Sequence, residues 1–320
     1  MTSSDRSGVL PLDISEPVRP STSPEPPSST PAVRLAASDG EPAPAARADP
    51  DRLHSRCDLQ FDPTVAHPAR VYAYWLGGKD TYAADRQAAE EVIRLRPAVV
   101  ASARANRAFL ARVVRFLAAD CGIRQFLDIG TGLPAPDSTH QVAQDVAPQC
   151  RVVYVDNDPV VMAHARALLT STAAGACDYI QADVRDSGTI LAGAAVTLDL
   201  TKPVGVLLLA VLHFVPDSDD PAGVVATLAG GLAPGSFIAI SHLTADLAPE
   251  QVGAAAQAYN ALAPVAVTPR THAQVSGLFG GLPLLAPGVV PACEWRPDIG
   301  AVAQPCDLHA GVACLPRGRR

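Results

Sequence analysis

Three aspartates each lie at the end of a short apolar run that is typical of a buried strand. Asp128 lies in FLDIGTGLP, Asp156 ends RVVYVD, and Asp183 follows a third run in QADVRD. Because the carboxyl ends of parallel strands meet at one edge of a sheet, we expect the three carboxylates to line one crevice. Carboxylates accept hydrogen bonds from hydroxyl and amino groups and attract cations. The pattern therefore predicts a site for a nucleoside that carries a positive charge.

A glycine turn follows the first of these strands. Gly130 and Gly132 flank Thr131, and the missing side chains let the backbone approach a ligand closely. The spacing Gly-x-Gly-x-x-Ala also fits the dinucleotide fingerprint. However, Asp128 would repel a pyrophosphate and attract the cationic amino-acid end of S-adenosylmethionine. The turn therefore favours S-adenosylmethionine. An NAD(P)-dependent oxidoreductase is the alternative, although the sequence has no recognisable Tyr-x-x-x-Lys pair for hydride transfer.

These positions divide the expected cofactor contacts into three groups. At the methionine end they are Asp128, Gly130, Thr131, Gly132 and Ala210, at the ribose Asp156 and Asn157, and at the adenine Asp183 and Val184. Ala210 is included because it lies in the apolar run that predicts the central strand. Asp128 either supports the turn or binds the amino group of the ligand.

His213 is the candidate catalytic residue. It follows the predicted central strand and would remove a proton from a methyl acceptor that carries one. His242 has the equivalent position after the next strand. For both histidines the alternative is a ring that bonds to a loop carbonyl, and transfer by proximity alone would need no base. The sequence shows no cluster of metal ligands, so no metal is expected.

The segment VYAYWLGGKDTY concentrates aromatic side chains that are rare elsewhere in the chain. It holds Tyr72, Tyr74, Trp75 and Tyr82, out of six tyrosines and two tryptophans in total. Such rings either anchor a surface turn to the core or form a lid with stacking and hydrogen-bonding groups over a ligand. The sequence leaves both interpretations open.

From residue 121 onward, short apolar runs alternate with helical stretches. The predicted strands are 124–130, 151–158, 177–181, 206–211, 236–243, 284–290 and 310–315, and the predicted helices are 83–95, 102–119, 138–146, 159–169, 187–194, 220–232, 249–261 and 271–279. Ser102 is the expected N-cap of its helix. The alternation predicts an α/β fold with a doubly wound, mostly parallel, Rossmann-like seven-stranded sheet and an N-terminal helical cap.

Composition limits the function classes further. The chain has 320 residues, a net charge of −7 and 48% hydrophobic residues, so it can bury a large core and lacks the basic face of a nucleic-acid-binding protein. The longest apolar run, 204–212, is too short to cross a bilayer. Seven scattered cysteines without a Cys-x-x-Cys pair, and the lack of a signal peptide, predict reduced thiols and a cytoplasmic location.

Three regions are expected along the chain. Residues 1–56 hold ten of the thirty prolines before position 51 and should form a disordered tail rich in Pro, Ser and Ala. Residues 57–120 should form the helical cap, and residues 121–320 the cofactor-binding core.

Several long stretches carry a resemblance to a known family. They are ARVYAYWLGGKDTYAADR, SARANRAFLARVVRFL, IRQFLDIGTGLP, RVVYVDNDPVVMAHARALL, ADVRD, VLLLAVLHFVPDSDDP and PGSFIAISH. Over residues 60–300 the chain resembles the S-adenosyl-L-methionine-dependent methyltransferases of actinobacteria that were long described as a domain of unknown function. The resemblance implies a class I methyltransferase fold and a bound methyl donor, and it leaves the methyl acceptor open.

The resemblance also implies that the segment from Tyr72 to Asp80 caps the site, with Gly78 and Lys79 as the nearest cofactor contacts. One departure is Pro134, which stands where methyltransferases usually have the third glycine of the turn and which stiffens it. We expect a small-molecule acceptor. A non-catalytic sensor that binds S-adenosylmethionine or its product is a second alternative.

Overall fold

The structure is a computed structural model that describes residues 62–298, 300 and 306–316. The predicted tail, 1–56, lies outside the described residues, as does the beginning of the predicted cap. Within the described ranges, no helix is long and apolar enough to cross a membrane. The cytoplasmic location stays a prediction.

A seven-stranded sheet forms the centre of the molecule. Its strands are β1 (Gln125–Ile129), β2 (Arg151–Asp156), β3 (Ala176–Gln181), β4 (Gly205–Leu209), β5 (Phe237–Leu243), β6 (Val290–Pro291) and β7 (Leu308–Cys314). Their order across the sheet is β3-β2-β1-β4-β5-β7-β6. Strands β1 to β5 are parallel, and β7 runs antiparallel to both of its neighbours. The prediction of a mostly parallel seven-stranded sheet is confirmed.

Nine helices are described around the sheet. They are α1 (Pro68–Trp75), α2 (Ala83–Leu95), α3 (Val99–Ala119), α4 (Thr139–Val146), α5 (Pro159–Leu168), α6 (Ser187–Ala194), α7 (Pro221–Gly230), α8 (Pro249–Leu262) and α9 (His272–Gly277). Two short 3₁₀ helices, Leu212–Phe214 and Asp217–Asp219, follow β4. The first three helices form the N-terminal cap that the sequence predicts.

Alternate residues of the central strands enter two different cores. Every residue of β1 and β4 is buried, as parallel strands covered on both faces must be. Phe126 joins a cluster that includes Phe109 of α3, whereas Leu127 joins a cluster that includes Ile190 of α6. A third cluster lies among α1, α2 and α8 and includes Val71, Val92 and Tyr259, among others. The third cluster connects the cap to the sheet domain.

Two local predictions are wrong. Helix α3 begins at Val99, so Ser102 lies inside the helix; its buried hydroxyl donates to the Ala98 carbonyl and accepts from the Asp307 amide. The expected strand 284–290 is reduced to a bridge at Leu284 and the two residues of β6. Pro283 and Pro287 lack the amide hydrogen that a continuous ladder needs.

Candidate active site

A cavity of about 230 Å³ lies at the carboxyl ends of β1 to β4 and beneath the cap. Its lining contains every predicted site residue except Gly78 and Lys79. Those that line it are Asp128, Gly130, Thr131, Gly132, Asp156, Asn157, Asp183, Val184, Ala210 and His213. Residues that the sequence places 85 positions apart thus share one space, because parallel strands end on the same edge of the sheet.

The glycine turn after β1 requires glycine for two reasons. Gly130 has φ of 76° and Gly132 has φ of 69°, in the left-handed region that side chains disfavour. In addition, a Cβ on Gly130 would lie 2.7 Å from Cβ of Val211, which follows β4. The amide of Gly130 donates to the Val155 carbonyl at 2.8 Å, which fixes the turn against β2.

Asp156 connects this turn to the end of β2. Its carboxylate is buried; Oδ2 accepts the Gly132 amide at 2.8 Å and Oδ1 accepts the Asp158 amide at 3.0 Å. Burial raises the pKa of Asp156 above its ordinary value, whereas these amide hydrogen bonds oppose the rise. Each carboxylate oxygen can accept more than one hydrogen bond, so both retain capacity for two hydroxyls of a ribose.

Asp128 is a second buried acid beside the turn. The Thr139 hydroxyl, at the first position of α4, donates to its Oδ2 at 2.6 Å. Burial raises the pKa of Asp128 to about 6, against the lowering effects of the Thr139 hydrogen bond and the charge of Arg107. A buried carboxylate that is costly to ionise is a strong partner for a cation, because the cation restores the charge balance.

Asp183 is already paired within the protein. Nε and Nη2 of Arg185 each donate to it at 2.8 Å, and Nη1 of the same guanidinium reaches Asp219 at 2.8 Å. The Arg185 hydrogen bonds lower the pKa of Asp183. Nδ2 of Asn157 is 3.5 Å from Oδ2 of Asp183. An adenine amino group would have to replace Asn157 as the donor to this oxygen. The sequence did not reveal Arg185 as the residue that orients this carboxylate.

Ala210 is held in an unusual backbone conformation at the end of β4. Its φ is 54°, and its amide donates to both the carbonyl and the hydroxyl of Ser241, at 3.0 and 2.9 Å. The Ser241 hydroxyl donates to Asn106 Oδ1 at 2.5 Å, and Asn106 Nδ2 donates to the Tyr72 hydroxyl at 3.1 Å. This chain of hydrogen bonds joins the central strands to α3 and α1. The sequence analysis did not predict Asn106. The feature that could have indicated it is a polar residue one turn before Phe109 on the buried face of α3.

His213 lies in the 3₁₀ helix after β4 and is 7% exposed. Its Nδ1 accepts the Leu243 amide at 3.3 Å, so the neutral ring carries its proton on Nε2. Burial, with smaller effects from His242 and Arg270, holds the pKa of His213 well below its ordinary value. At neutral pH the ring is therefore a hydrogen-bond donor at Nε2, and the geometry favours that role over the predicted role of base.

His242 has a structural role, which was the alternative to a role as base in the sequence analysis. Its Nδ1 lies 2.7 Å from the Leu243 carbonyl, and its Nε2 lies 2.8 Å from Nη1 of Arg270. Burial is the main reason that the pKa of His242 is lowered to about 4. His242 is not among the residues that line the cavity. Its ring supports Arg270 instead, which also donates to the Leu212 carbonyl.

The aromatic segment divides between the two interpretations. Tyr72 and Trp75 of α1 line the cavity, as the lid interpretation predicts. Tyr74 instead donates to Glu90 at 2.8 Å on the surface. Gly78 ends the helical turn, where its amide donates to the Ala73 carbonyl at 2.8 Å. The structure does not bring Gly78 and Lys79 into the cavity lining, and their contact with the cofactor stays a prediction.

The cap is held to the core by a buried arginine. Nε of Arg70 donates to Asp85 at 2.9 Å, and Nη1 donates to Asp158 at 2.8 Å. Asp158 is also the N-cap of α5 and therefore belongs to the sheet domain. Arg70 thus positions α1, and with it Tyr72 and Trp75, over the carboxyl end of β2.

Arg107 stabilises the far side of the glycine turn. Its Nη2 donates to the carbonyls of Pro136 and Asp137 at 2.9 and 3.0 Å. Asp137 has φ of 57°, so this guanidinium supports a strained residue in the loop before α4.

Among the described residues, no group of three or more His, Cys, Asp or Glu side chains is arranged so that it could hold a metal ion.

The strand order, the antiparallel β7 and the crevice with its glycine turn define a class I methyltransferase fold. The chain belongs to the S-adenosyl methyltransferase family, whose model matches residues 55–316. It is therefore an S-adenosylmethionine-dependent methyltransferase, as the resemblance implied. The residues present fit such a donor, since the Gly130–Gly132 turn lines one cavity with the buried carboxylates of Asp128 and Asp156, which could accept from its ammonium and hydroxyl groups.

Two crystal structures are similar to the chain over most of its length. A DUF574 family protein from Streptomyces avermitilis is 43% identical, with a TM-score of 0.76, and the match covers 82% of this chain and 100% of that one. A methyltransferase candidate from Thermobifida fusca is 35% identical, with a TM-score of 0.73, over 83% of this chain and 100% of that one. A comparison with curated proteins gives no match.

Proposed function

We propose that the protein transfers the methyl group of S-adenosylmethionine to a small molecule bound beneath the cap. One observation supports this most directly. The same cavity is lined by the glycine turn at one end and by side chains of α2 and α8 at the other. A donor and a small acceptor would therefore meet in one partly enclosed space, as methyl transfer requires.

The donor end is assigned from the contacts already described. Asp128 would bind the ammonium of the methionine moiety, and Asp156 would accept from the ribose hydroxyls. Asp183, oriented by Arg185, would accept from the adenine amino group, beside the backbone of Val184. Bound S-adenosylmethionine supplies an electrophilic methyl group on a sulfonium.

The acceptor end is assigned to His213 and the cap. His213 Nε2–H would donate to the acceptor and hold its nucleophilic atom near the end of β4. Tyr72 and Trp75 would exclude water from the same space. Because the neutral ring carries its proton on Nε2, the acceptor's own proton would pass to water, and positioning would supply most of the rate enhancement.

A labelling experiment tests this proposal. The full chain is incubated with S-adenosylmethionine carrying a tritiated methyl group and with an actinobacterial cell extract, and the low-mass and macromolecular fractions are counted separately. We expect enzyme-dependent label in the low-mass fraction, and no such label with Asp156→Ala. Label confined to the macromolecular fraction would contradict a small-molecule acceptor. Donor binding without any transfer would favour the sensor alternative.

A further inference from the structure

The end of the cavity away from the glycine turn is an apolar chamber. Its walls come from α1, α2, α8 and the segments after β4 and α8, and include Trp75, Val92, Phe214, Val252, Ala256 and Val267. All of these side chains except Val252 belong to or pack against the third hydrophobic cluster, which is separate from the two cores of the sheet. The chamber is thus a built apolar space with its own supporting elements.

The charged side chains at this end neutralise each other. Arg96 donates to Asp307 through Nε at 2.9 Å and through Nη2 at 2.8 Å, and both residues line the cavity. Nη1 of Arg96 also donates to Gln251. The other charged residues of the described lining lie beside the glycine turn or at the ends of β2 and β3. An acceptor with a net charge would lose its hydration here without gaining a partner.

At this end of the cavity, two polar groups have no hydrogen-bond partner among the described residues. No described residue bonds Nε2 of His213, whose other ring nitrogen is occupied by the Leu243 amide. The Tyr259 hydroxyl of α8 is buried and has no hydrogen-bond partner among the described residues. Of the two, Nε2 of His213 can donate to a ligand, because the neutral ring carries its proton there.

We propose that the chamber binds a neutral, largely apolar aromatic ring that carries a hydroxyl group, and that this hydroxyl oxygen receives the methyl group. This inference rests on the proposed function. An oxygen nucleophile fits a donor at Nε2 because it has two lone pairs. One accepts from His213 and the other attacks, whereas an amine nitrogen has one lone pair, which the same hydrogen bond would occupy.

The step balances without a base from the protein. The oxygen lone pair forms the new C–O bond, the methyl carbon–sulfur bond breaks, and its electron pair stays on sulfur, which gives S-adenosylhomocysteine. The hydroxyl proton passes to water. The hydrogen bond from His213 stabilises the negative charge that develops on the oxygen as the proton leaves.

Matched probes test the inference. The full chain, saturated with S-adenosylhomocysteine, is titrated by calorimetry with para-cresol, toluene and para-toluate, which share one ring and differ in a hydroxyl, a hydrogen and a carboxylate. We expect para-cresol to bind several-fold to about tenfold more tightly than toluene, since one hydrogen bond separates them. We expect para-toluate to bind more weakly than both. In His213→Ala the advantage of para-cresol over toluene should disappear while S-adenosylhomocysteine affinity is retained.

The outcomes separate this inference from the proposed function. Binding of para-toluate as tight as that of para-cresol, or no binding of any ring, would overturn the chamber inference even if S-adenosylhomocysteine binds. An advantage of para-cresol that survives in His213→Ala would overturn the role of His213. Failure of the chain to bind S-adenosylhomocysteine at all would instead count against the proposed function.

Discussion

The Ser241 hydroxyl donates a 2.5 Å hydrogen bond to Oδ1 of Asn106, and this contact joins the middle of the sheet to the longest helix of the cap. Asn106 is 5% exposed and Ser241 is fully buried. On either side the chain of hydrogen bonds continues to the strained Ala210 and to Tyr72, both of which line the cavity. The conformation of the acceptor end therefore depends on Asn106, which lines the cavity and also holds Tyr72 and, through Ser241, Ala210.

Replacing Asn106 with Leu should destabilise the protein. The change leaves the Ser241 and Tyr72 hydroxyls each without one buried partner, which costs about 1–3 kcal/mol per group. We expect the free energy of unfolding in urea to fall by about 2–4 kcal/mol, because relaxation recovers part of the loss. Asn260→Leu, which removes hydrogen bonds at a site that does not line the cavity, serves as the matched control. Unchanged stability of Asn106→Leu would show that the network contributes little.

The strand-ending acids were predictable, whereas this network was not. Asp128 and Asp156 stand out because short apolar runs mark the strands that they end. The parallel sheet then brings the ends of these strands together. Asn106 and Ser241 are separated by 135 residues, and no local pattern states which buried polar groups meet across that distance.

The same limit applies to other site residues. The pair Arg96 and Asp307 spans 211 residues. Arg185 pairs with Asp183 two residues away and with Asp219 34 residues away, and no local pattern predicts the second pair. Local propensity gave the helix 83–95 correctly, but it misplaced the beginning of α3 because Ser102 bonds the distant Asp307 amide and does not cap the helix.

The affinity for S-adenosylmethionine should depend on the ionisation of Asp128. Burial raises the pKa of Asp128 to about 6, and a bound ammonium would lower that pKa, so binding below pH 6 must release a proton. We expect affinity to be constant above about pH 7 and to fall as the pH drops through 6. Calorimetry in two buffers of different ionisation enthalpy measures the proton release.

Asp128→Asn supplies the control for this pH dependence. The variant should bind more weakly at pH 8 and should lose the decline near pH 6. A decline that is retained in Asp128→Asn would assign it to another group.

Gly130→Ala should remove donor binding while the sheet persists. The alanine would have to adopt the left-handed backbone conformation of Gly130, and its Cβ would lie 2.7 Å from Cβ of Val211. We expect backbone strain to lower the free energy of unfolding by about 1–3 kcal/mol. The loss in the free energy of S-adenosylmethionine binding should be larger than this. Gly188→Ala, where a Cβ meets nothing within 4 Å, is the control for a generic glycine effect. If Gly130→Ala bound the donor as tightly as the unmodified chain does, the claim that this turn requires glycine would be wrong.

His213→Ala should separate donor binding from transfer. The ring lies at the end of β4 and, because its Nδ1 bonds Leu243, we assign only Nε2 to the acceptor. S-adenosylmethionine affinity should stay within about twofold, and transfer should fall by about 10-fold or more, as expected when one positioning hydrogen bond is lost. Because the pKa of His213 is held well below its ordinary value, the unmodified enzyme should show no rate change from this group between pH 6 and 8. A tenfold loss of donor affinity would contradict its assignment to the acceptor side.

The central claim is that the glycine turn and Asp156 form a donor site for S-adenosylmethionine. The most direct test is calorimetric titration of the full chain with S-adenosylmethionine, S-adenosylhomocysteine and NAD, repeated on Asp156→Ala and on the surface control Asp120→Ala. We predict that the first two ligands bind and NAD does not. We also predict that Asp156→Ala loses about 10- to 100-fold in affinity, as removal of a charged hydrogen-bond acceptor implies, while Asp120→Ala loses none. Binding of NAD alone, or equal affinity of Asp156→Ala and the unmodified chain, would contradict the account.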